Sequence, residues 1–273
     1  MKPMNFHGCW VLITGASAGL GRAMAERFAY DHHANLVVTA RRAARLEELK
    51  EELESRAGVK VVPIAADMTK LEDVDRLIDR VTSELPLYAA VLNAGVTHFG
   101  DYHELSWEDF QTLLHTNVTS VVRMTTRLLP HLERTADGGG VLLISSMAGI
   151  HPIPYQTAYS ATKAFLVHFG CGLFHELAGK NVSITTYAPG GIATDMTGGD
   201  KFESLRSWLV PVEEAAREAI VAFQRRGYLY VPGALNRLGD VLMRVLPRRI
   251  VADRLASEYR KSLERARTAV QVK

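Results

Sequence analysis

The chain has 273 residues, 47% of them apolar and 23% charged, with a formal charge of +2. That balance excludes a disordered or fibrous polypeptide, fits one sizeable α/β domain or two small ones, and gives no electrostatic footprint for nucleic acid; with no linker or repeat in the chain, one domain is expected. Two cysteines, Cys9 and Cys171, have neither disulfide nor metal-ligand spacing, no apolar run is long enough to span a bilayer, and the first residues lack a signal-like stretch, so a cytoplasmic protein without a metal is expected.

Trp10-Val11-Leu12-Ile13 reads as a first strand and residues 22–30 as an Ala-rich helix. Between them lies Thr14-Gly15-Ala16-Ser17-Ala18-Gly19-Leu20-Gly21. A strand, a tight glycine turn and a helix start together make a seat for a phosphate, because bare backbone approaches closely and the helix N–H groups favour an anion. The alternative is a turn that serves only close packing. Residues 35–40 form a second strand that ends at Ala40 and is followed by Arg41 and Arg42, which open a charged helix to about residue 57. In a nucleotide-binding α/β unit the end of this strand lies beside the adenosine ribose, where a carboxylate accepts from a 2′-hydroxyl and an arginine pairs with a 2′-phosphate. No carboxylate stands here, so NADP is favoured over NAD; the other reading makes Arg41 and Arg42 the start of a solvated helix.

Residues 59–65 read as a third strand ending in Asp67-Met68-Thr69, where Asp67 either meets an adenine amino group or caps the helix at 70–84. A fourth strand at 88–92 stops at Asn93-Ala94-Gly95, small residues where a cofactor would cross the carboxyl edge of a sheet. The alternation of apolar strands and helices predicts a doubly wound, Rossmann-type parallel sheet of about seven strands, covered on both faces, in a single domain over residues 1–232 with a helical extension at 233–273.

A long helix is predicted over 106–134, with Asn117 as an out-of-place interior amide; it faces solvent or has a specific hydrogen-bonding task. A fifth strand at 141–144 ends at Ser145-Ser146. A helix over 158–178 carries Tyr159 and Lys163 at i and i+4, on one face. Such a pair also occurs in ordinary amphipathic helices, but an ammonium beside a phenol favours phenolate and would bring its pKa toward neutrality.

Taken together, these stretches resemble the short-chain dehydrogenase/reductase family. The resemblance rests on Thr14-Gly15-x-x-x-Gly19-x-Gly21, Asp67, Asn93-Ala94-Gly95, Asn117, Ser146, Tyr159-x-x-x-Lys163 and Pro189-Gly190-Gly191-Ile192-Ala193-Thr194, in order, over about residues 8–232. It selects Ser146, thirteen positions before the tyrosine, over Ser145. It implies a carbonyl reductase in which Tyr159 gives a proton, Ser146 donates to the same oxygen, Lys163 holds the nicotinamide ribose and lowers the tyrosine pKa, and Asn117 fixes a water. The cofactor-binding set it implies is Gly15, Ser17, Gly19, Leu20 and Gly21 at the turn, Arg41 and Arg42 at the ribose, Asp67 and Met68 at the adenine, Asn93, Ala94 and Gly95 at the sheet edge, and Pro189, Gly190, Ile192 and Thr194 at the nicotinamide. A homodimer through the helices at 106–134 and 158–178 is also implied. A catalytically silent NADP-binding sensor of the same fold is the alternative.

Residues 194–208 read as a substrate lid, with Gly198-Gly199 as its flexible point and Met196, Phe202, Leu205 and Trp208 as apolar faces, or as core positions of a short helix. A helix at 211–226 and a last strand at 228–231 follow. From Arg237 onward ten basic residues face four acidic ones. Leu238, Val241, Leu242, Val245 and Leu246 make one apolar stripe, and Ile250, Val251, Leu255 and Tyr259 make another after Pro247. Two readings stand: the extension packs over the body and closes the substrate cleft with its basic side solvated, or it meets a membrane, an acyl carrier or an anionic substrate.

Overall fold

The computed structural model describes residues 1–135, 137–198, 201, 209–233, 237, 239, 243 and 246–271. Its centre is a seven-stranded, all-parallel sheet: β1 (Trp10–Thr14), β2 (Asn35–Ala40), β3 (Val61–Ala65), β4 (Leu87–Leu92), β5 (Gly139–Ile144), β6 (Val182–Tyr187) and β7 (Leu229–Tyr230), in the order β3-β2-β1-β4-β5-β6-β7. Apart from β6, the strands are largely apolar runs because both faces are covered. Strand β6 is not foreseen from the sequence, because its threonines and serine disguise a fully buried strand.

On one face, α1 (Gly19–Tyr30), α2 (Ala43–Ala57) and α7 (Val212–Gln224) bury Met24, Phe28, Leu46, Leu49, Leu53 and Phe223. On the other, α3 (Leu71–Glu84), α5 (Ser120–Leu132) and α6 (Thr157–Glu176) bury Val74, Leu77, Leu128, Leu132 and Leu166. Across that second face Arg123 grips both carboxylate oxygens of Asp75 at 2.8 and 2.9 Å, fixing α5 against α3. Strand order reverses between β1 and β4, and a crevice opens there at the carboxyl ends.

The single helix expected over 106–134 is instead α4 (Trp107–Leu114), a π-turn (His115–Thr119) and α5. The Ser120 N–H reaches the His115 carbonyl, five residues back. Asn117 lies inside this turn, which gives its amide the task suspected from sequence. After the last strand, α8 (Arg248–Gln271) returns to the body. Of the lid and tail residues singled out, Gly199, Phe202, Leu205, Trp208, Leu238, Val241, Leu242 and Val245 lie outside the described residues, while Leu246 and Ile250 are exposed.

Candidate active site

The crevice is a cleft of about 850 Å³ bordered by the ends of β1, β2, β4, β5 and β6. Its first wall is the glycine turn. Gly15 sits at φ +68°, in the left-handed region, and a Cβ there would lie 2.9 Å from the Asn93 amide nitrogen. Gly21 lies outside the cleft and is needed for approach: a Cβ would collide with the Gly15 carbonyl. The turn is stitched to β4 by Thr14, whose hydroxyl accepts from the backbone N–H groups of Asn93 and Ala94, each at 2.9 Å, while the Asn93 amide donates to the Thr14 carbonyl at 2.9 Å. Asn93 is thus a strut between two strand ends, as well as part of the cleft wall.

These residues fit a dinucleotide. The residue preceding α1 is Ala18, which offers no capping side chain, and the first turn holds no acid, so the helix N–H groups remain available to an anion. Arg42 reaches back from the start of α2 to donate to the Ser17 hydroxyl at 3.0 Å, which brings a guanidinium to the glycine turn; Arg41 is exposed beside it at the cleft rim. Asp67 does not cap α3, whose N-cap is Lys70; its carboxylate accepts instead from the Thr69 N–H and hydroxyl, which helps hold its pKa below the usual aspartate value despite partial burial. Leu20, Met68, Ala94 and Gly95 line the same cleft. Pro189, Gly190, Ile192 and Thr194 close it from β6, with the Thr194 methyl near Gly19.

At the floor, Ser145 and Ser146 part company. Ser145 is 2% exposed and spends its hydroxyl on the Lys163 carbonyl at 2.8 Å. Ser146 lines the cleft, accepts from the Ala148 N–H at 3.1 Å, donates to the Pro189 carbonyl at 3.4 Å and shares a hydrogen bond with Tyr159. Burial pushes the Tyr159 phenol above its usual value, and that hydrogen bond pulls it partly back. Lys163 is 5% exposed, donates to the Ile144 carbonyl at 2.9 Å, and is lowered to about 8 by desolvation. Its nitrogen stands 5.8 Å from the centroid of the Tyr159 ring. The expected lowering of the phenol by the ammonium is therefore corrected: burial dominates, and the amine is directed at a strand carbonyl.

Asn117 is fully buried and lies behind the cleft. Its amide accepts from the Val96 N–H and donates to the Val96 carbonyl, both at 2.9 Å, and donates to the Thr162 hydroxyl at 3.0 Å. It joins the extension of β4 to the residue beside Lys163.

A further wall of the cleft agrees with the reading in which the extension closes it, while its contribution from the segment before α6 is not foreseen in the sequence. His151, Ile153 and Gln156 come from the segment between β5 and α6, and Met243, Leu255 and Tyr259 come from the chain beyond residue 233. Leu255 and Tyr259 were visible as part of an apolar stripe, four residues apart, but nothing in spacing alone directs a stripe to a particular cleft. The basic side of α8 is only partly solvated. Arg260 donates to the Tyr155 hydroxyl at 2.8 Å and Arg267 to Glu104 at 2.6 Å and to Asp101, while the buried Ser262 donates to the Lys201 carbonyl at 2.6 Å.

The short chain dehydrogenase family pattern matches residues 9–203. A Chromohalobacter salexigens protein named sulfoacetaldehyde reductase is 38% identical over 202 residues, which span 71% of this chain and 78% of its own. A Gallus gallus protein named hydroxysteroid 11-beta-dehydrogenase 1-like protein is 37% identical over 234 residues, 83% of this chain and 77% of its own. The solved structure of a short-chain dehydrogenase from Sphingobium yanoikuyae in complex with NADPH is similar, with a TM-score of 0.74 and 28% identity over 88% of this chain and 96% of that one. The chain belongs to the short-chain dehydrogenases/reductases, oxidoreductases that interconvert an alcohol and a carbonyl with a nicotinamide cofactor.

Proposed function

We propose that the protein is an NADPH-dependent reductase of bulky, apolar ketones. The observation that carries this reading is the convergence of Ser146, Tyr159 and Lys163 on one cleft whose other end offers an uncapped helix and a guanidinium. A bound nicotinamide supplies the hydride to the carbonyl carbon. Tyr159, kept protonated at neutral pH by burial, gives its phenolic proton to the oxygen as charge develops there. Ser146 turns its hydroxyl proton from Pro189 to the same oxygen. Lys163 holds the ribose hydroxyls and passes a proton toward the phenolate that remains. Both amide protons of Asn117 are committed, so a water fixed beside it donates to an Asn117 oxygen.

Preference for NADPH is supported by Ala40 and the two arginines at the ribose end of the cleft, where no carboxylate repels a phosphate. Preference for an apolar ketone is supported by Ile153, Leu209, Met243 and Leu255 in the wall. Among the described lining residues the arginine and lysine side chains are Arg41 and Arg42 at the ribose end and Lys163 at the floor, which favours a neutral ketone over a sulfonated aldehyde. The reading is tested by following NADPH consumption across a panel of ketones. Tyr159→Phe is expected to lower kcat by about 10²–10⁴ with NADPH affinity unchanged; a variant as fast as wild type sinks the proposal. Arg41→Asp combined with Arg42→Ala is expected to move binding from NADPH toward NADH.

A homodimer through α4, α5 and α6 belongs to the same reading, supported by exposed Leu114 and Phe165, the latter stacked on Phe169 at 5.7 Å. Contact of the exposed Arg249 and Arg254 with an anionic membrane or an acyl carrier has less support, because Arg260 and Arg267 of the same helix are already committed to the body. No described helix is long and apolar enough to cross a membrane.

A further inference from the structure

Tyr259 enters the cleft from α8, one helical turn after Leu255. Its ring packs edge-on against Phe99 with centroids 5.3 Å apart, inside a small apolar cluster completed by Leu263 and Tyr155. This cluster is separate from the two large cores that flank the sheet. The position is fixed from several sides, because Arg260 and Ser262 bond to Tyr155 and Lys201 immediately beyond it. Tyr259 is half-buried at the cleft wall, and its hydroxyl has no hydrogen-bond partner among the described residues, so its donor is free to meet what enters the cleft. Burial raises its pKa to about 12, and Tyr159 is close enough to add to that rise. Two phenols from different elements thus look onto the same volume. One of them, Tyr159, is already engaged with Ser146.

Resting on the reductase reading above, we propose that Tyr259 is a specificity-determining residue, which donates a hydrogen bond to a second oxygen of the substrate, close to the carbonyl that is reduced. The preferred substrates are then ketones with a neighbouring ester, hydroxyl or further carbonyl on an apolar frame. A site built to satisfy a polar group discriminates against analogues that lack it, because its own donor is left unpaired in the complex. Tyr259 is removed from the proton transfer itself, and its contribution appears in substrate binding.

The test compares Tyr259→Phe with wild type on two ketones of equal length, ethyl 3-oxohexanoate and 4-nonanone. The variant keeps the ring, so the contact with Phe99 and the cluster survive. The expected result is a KM about tenfold higher for the keto ester, with kcat within about twofold, and no change for the plain ketone or in NADPH binding. Equal changes on both ketones, or none on either, overturn the role of Tyr259 while leaving the chemistry of Tyr159 standing. A fall in kcat on both overturns it too, by making Tyr259 part of the proton transfer. Failure of the reductase reading has a different sign, namely wild-type protein that consumes NADPH with neither ketone. Saturation-transfer NMR with the same two compounds then decides: binding of the keto ester weakened selectively by Tyr259→Phe supports the assignment, and unselective or unchanged binding overturns it.

Discussion

Ser145 directs its hydroxyl at the Lys163 carbonyl while Ser146 faces the cleft, so two adjacent side chains of the same chemistry make opposite predictions. Ser146→Ala is expected to lower kcat by about 10²–10³ with little change in melting temperature, since it loses a donor to the reacting oxygen. Ser145→Ala is expected to cost about 1 kcal/mol of stability with a smaller effect on turnover, since it loses a buried structural hydrogen bond. Steady-state rates and thermal melts of both variants check the pair. Lys163 adds a pH prediction. Burial lowers its folded pKa to about 8 from 10.5, so the native state sheds this proton before the unfolded chain does. Between those values the unfolded state binds more protons, and stability contributed by this group rises with pH; below about 8 the penalty of the buried ammonium is fully present. Lys163→Met is therefore expected to abolish turnover yet raise the melting temperature at pH 7, with the gain shrinking by pH 10, and wild-type reduction is expected to decline above about pH 8. A Met variant less stable than wild type at pH 7 refutes this. At this scale the sequence was informative about which side chains carry chemistry, because residue type and order encode it. It misjudged the direction of the Tyr159 pKa, because desolvation depends on neighbours that spacing does not name.

The glycine turn and the end of β4 act as one element through Thr14. Its hydroxyl accepts from two backbone N–H groups, those of Asn93 and Ala94. Thr14→Val, close in shape, is expected to destabilise by about 1–3 kcal/mol and to weaken NADPH binding, because the crevice between β1 and β4 loses its stitch. Denaturant melts and fluorescence titration measure both; unchanged stability would show that the two N–H groups find other partners. Strands and helices were largely readable from apolar periodicity, and the helix boundaries differ from expectation by a residue or two at most ends. The strand β6 was not readable, since Val182–Tyr187 alternates apolar residues with serine and threonine that burial on both faces makes unusual. Thr14 was quoted in the motif but its double acceptor role depends on β4 lying alongside β1, a long-range fact.

At the scale of the molecule, the tail beyond residue 233 becomes part of the site through a latch of Arg260 on Tyr155 and Arg267 on Asp101 and Glu104. Tyr155 is held at φ +65°, unusual for a residue with a side chain, in the segment that leads into α6. Arg260→Ala together with Arg267→Ala is expected to raise KM for ketones several-fold while the affinity for NADPH and the melting temperature scarcely move, because exposed ion pairs contribute little to global stability. Loss of NADPH binding instead would place the latch at the wrong end of the cleft. Composition showed that the tail was basic and amphipathic; only the fold shows that its counter-charges sit in the loop after β4. The π-turn at Asn117 has a consequence for anyone editing this chain. A helix carrying one surplus residue has its two halves out of phase by about 100°, so α4 and α5 present differently oriented stripes along what reads as a single rod. Deleting one residue between His115 and Thr119 would restore regular coiling and rotate one half away from its neighbours, withdrawing the amide that spans Val96 and Thr162. The irregular geometry is what lets one rod serve both the α3 contact and the catalytic floor.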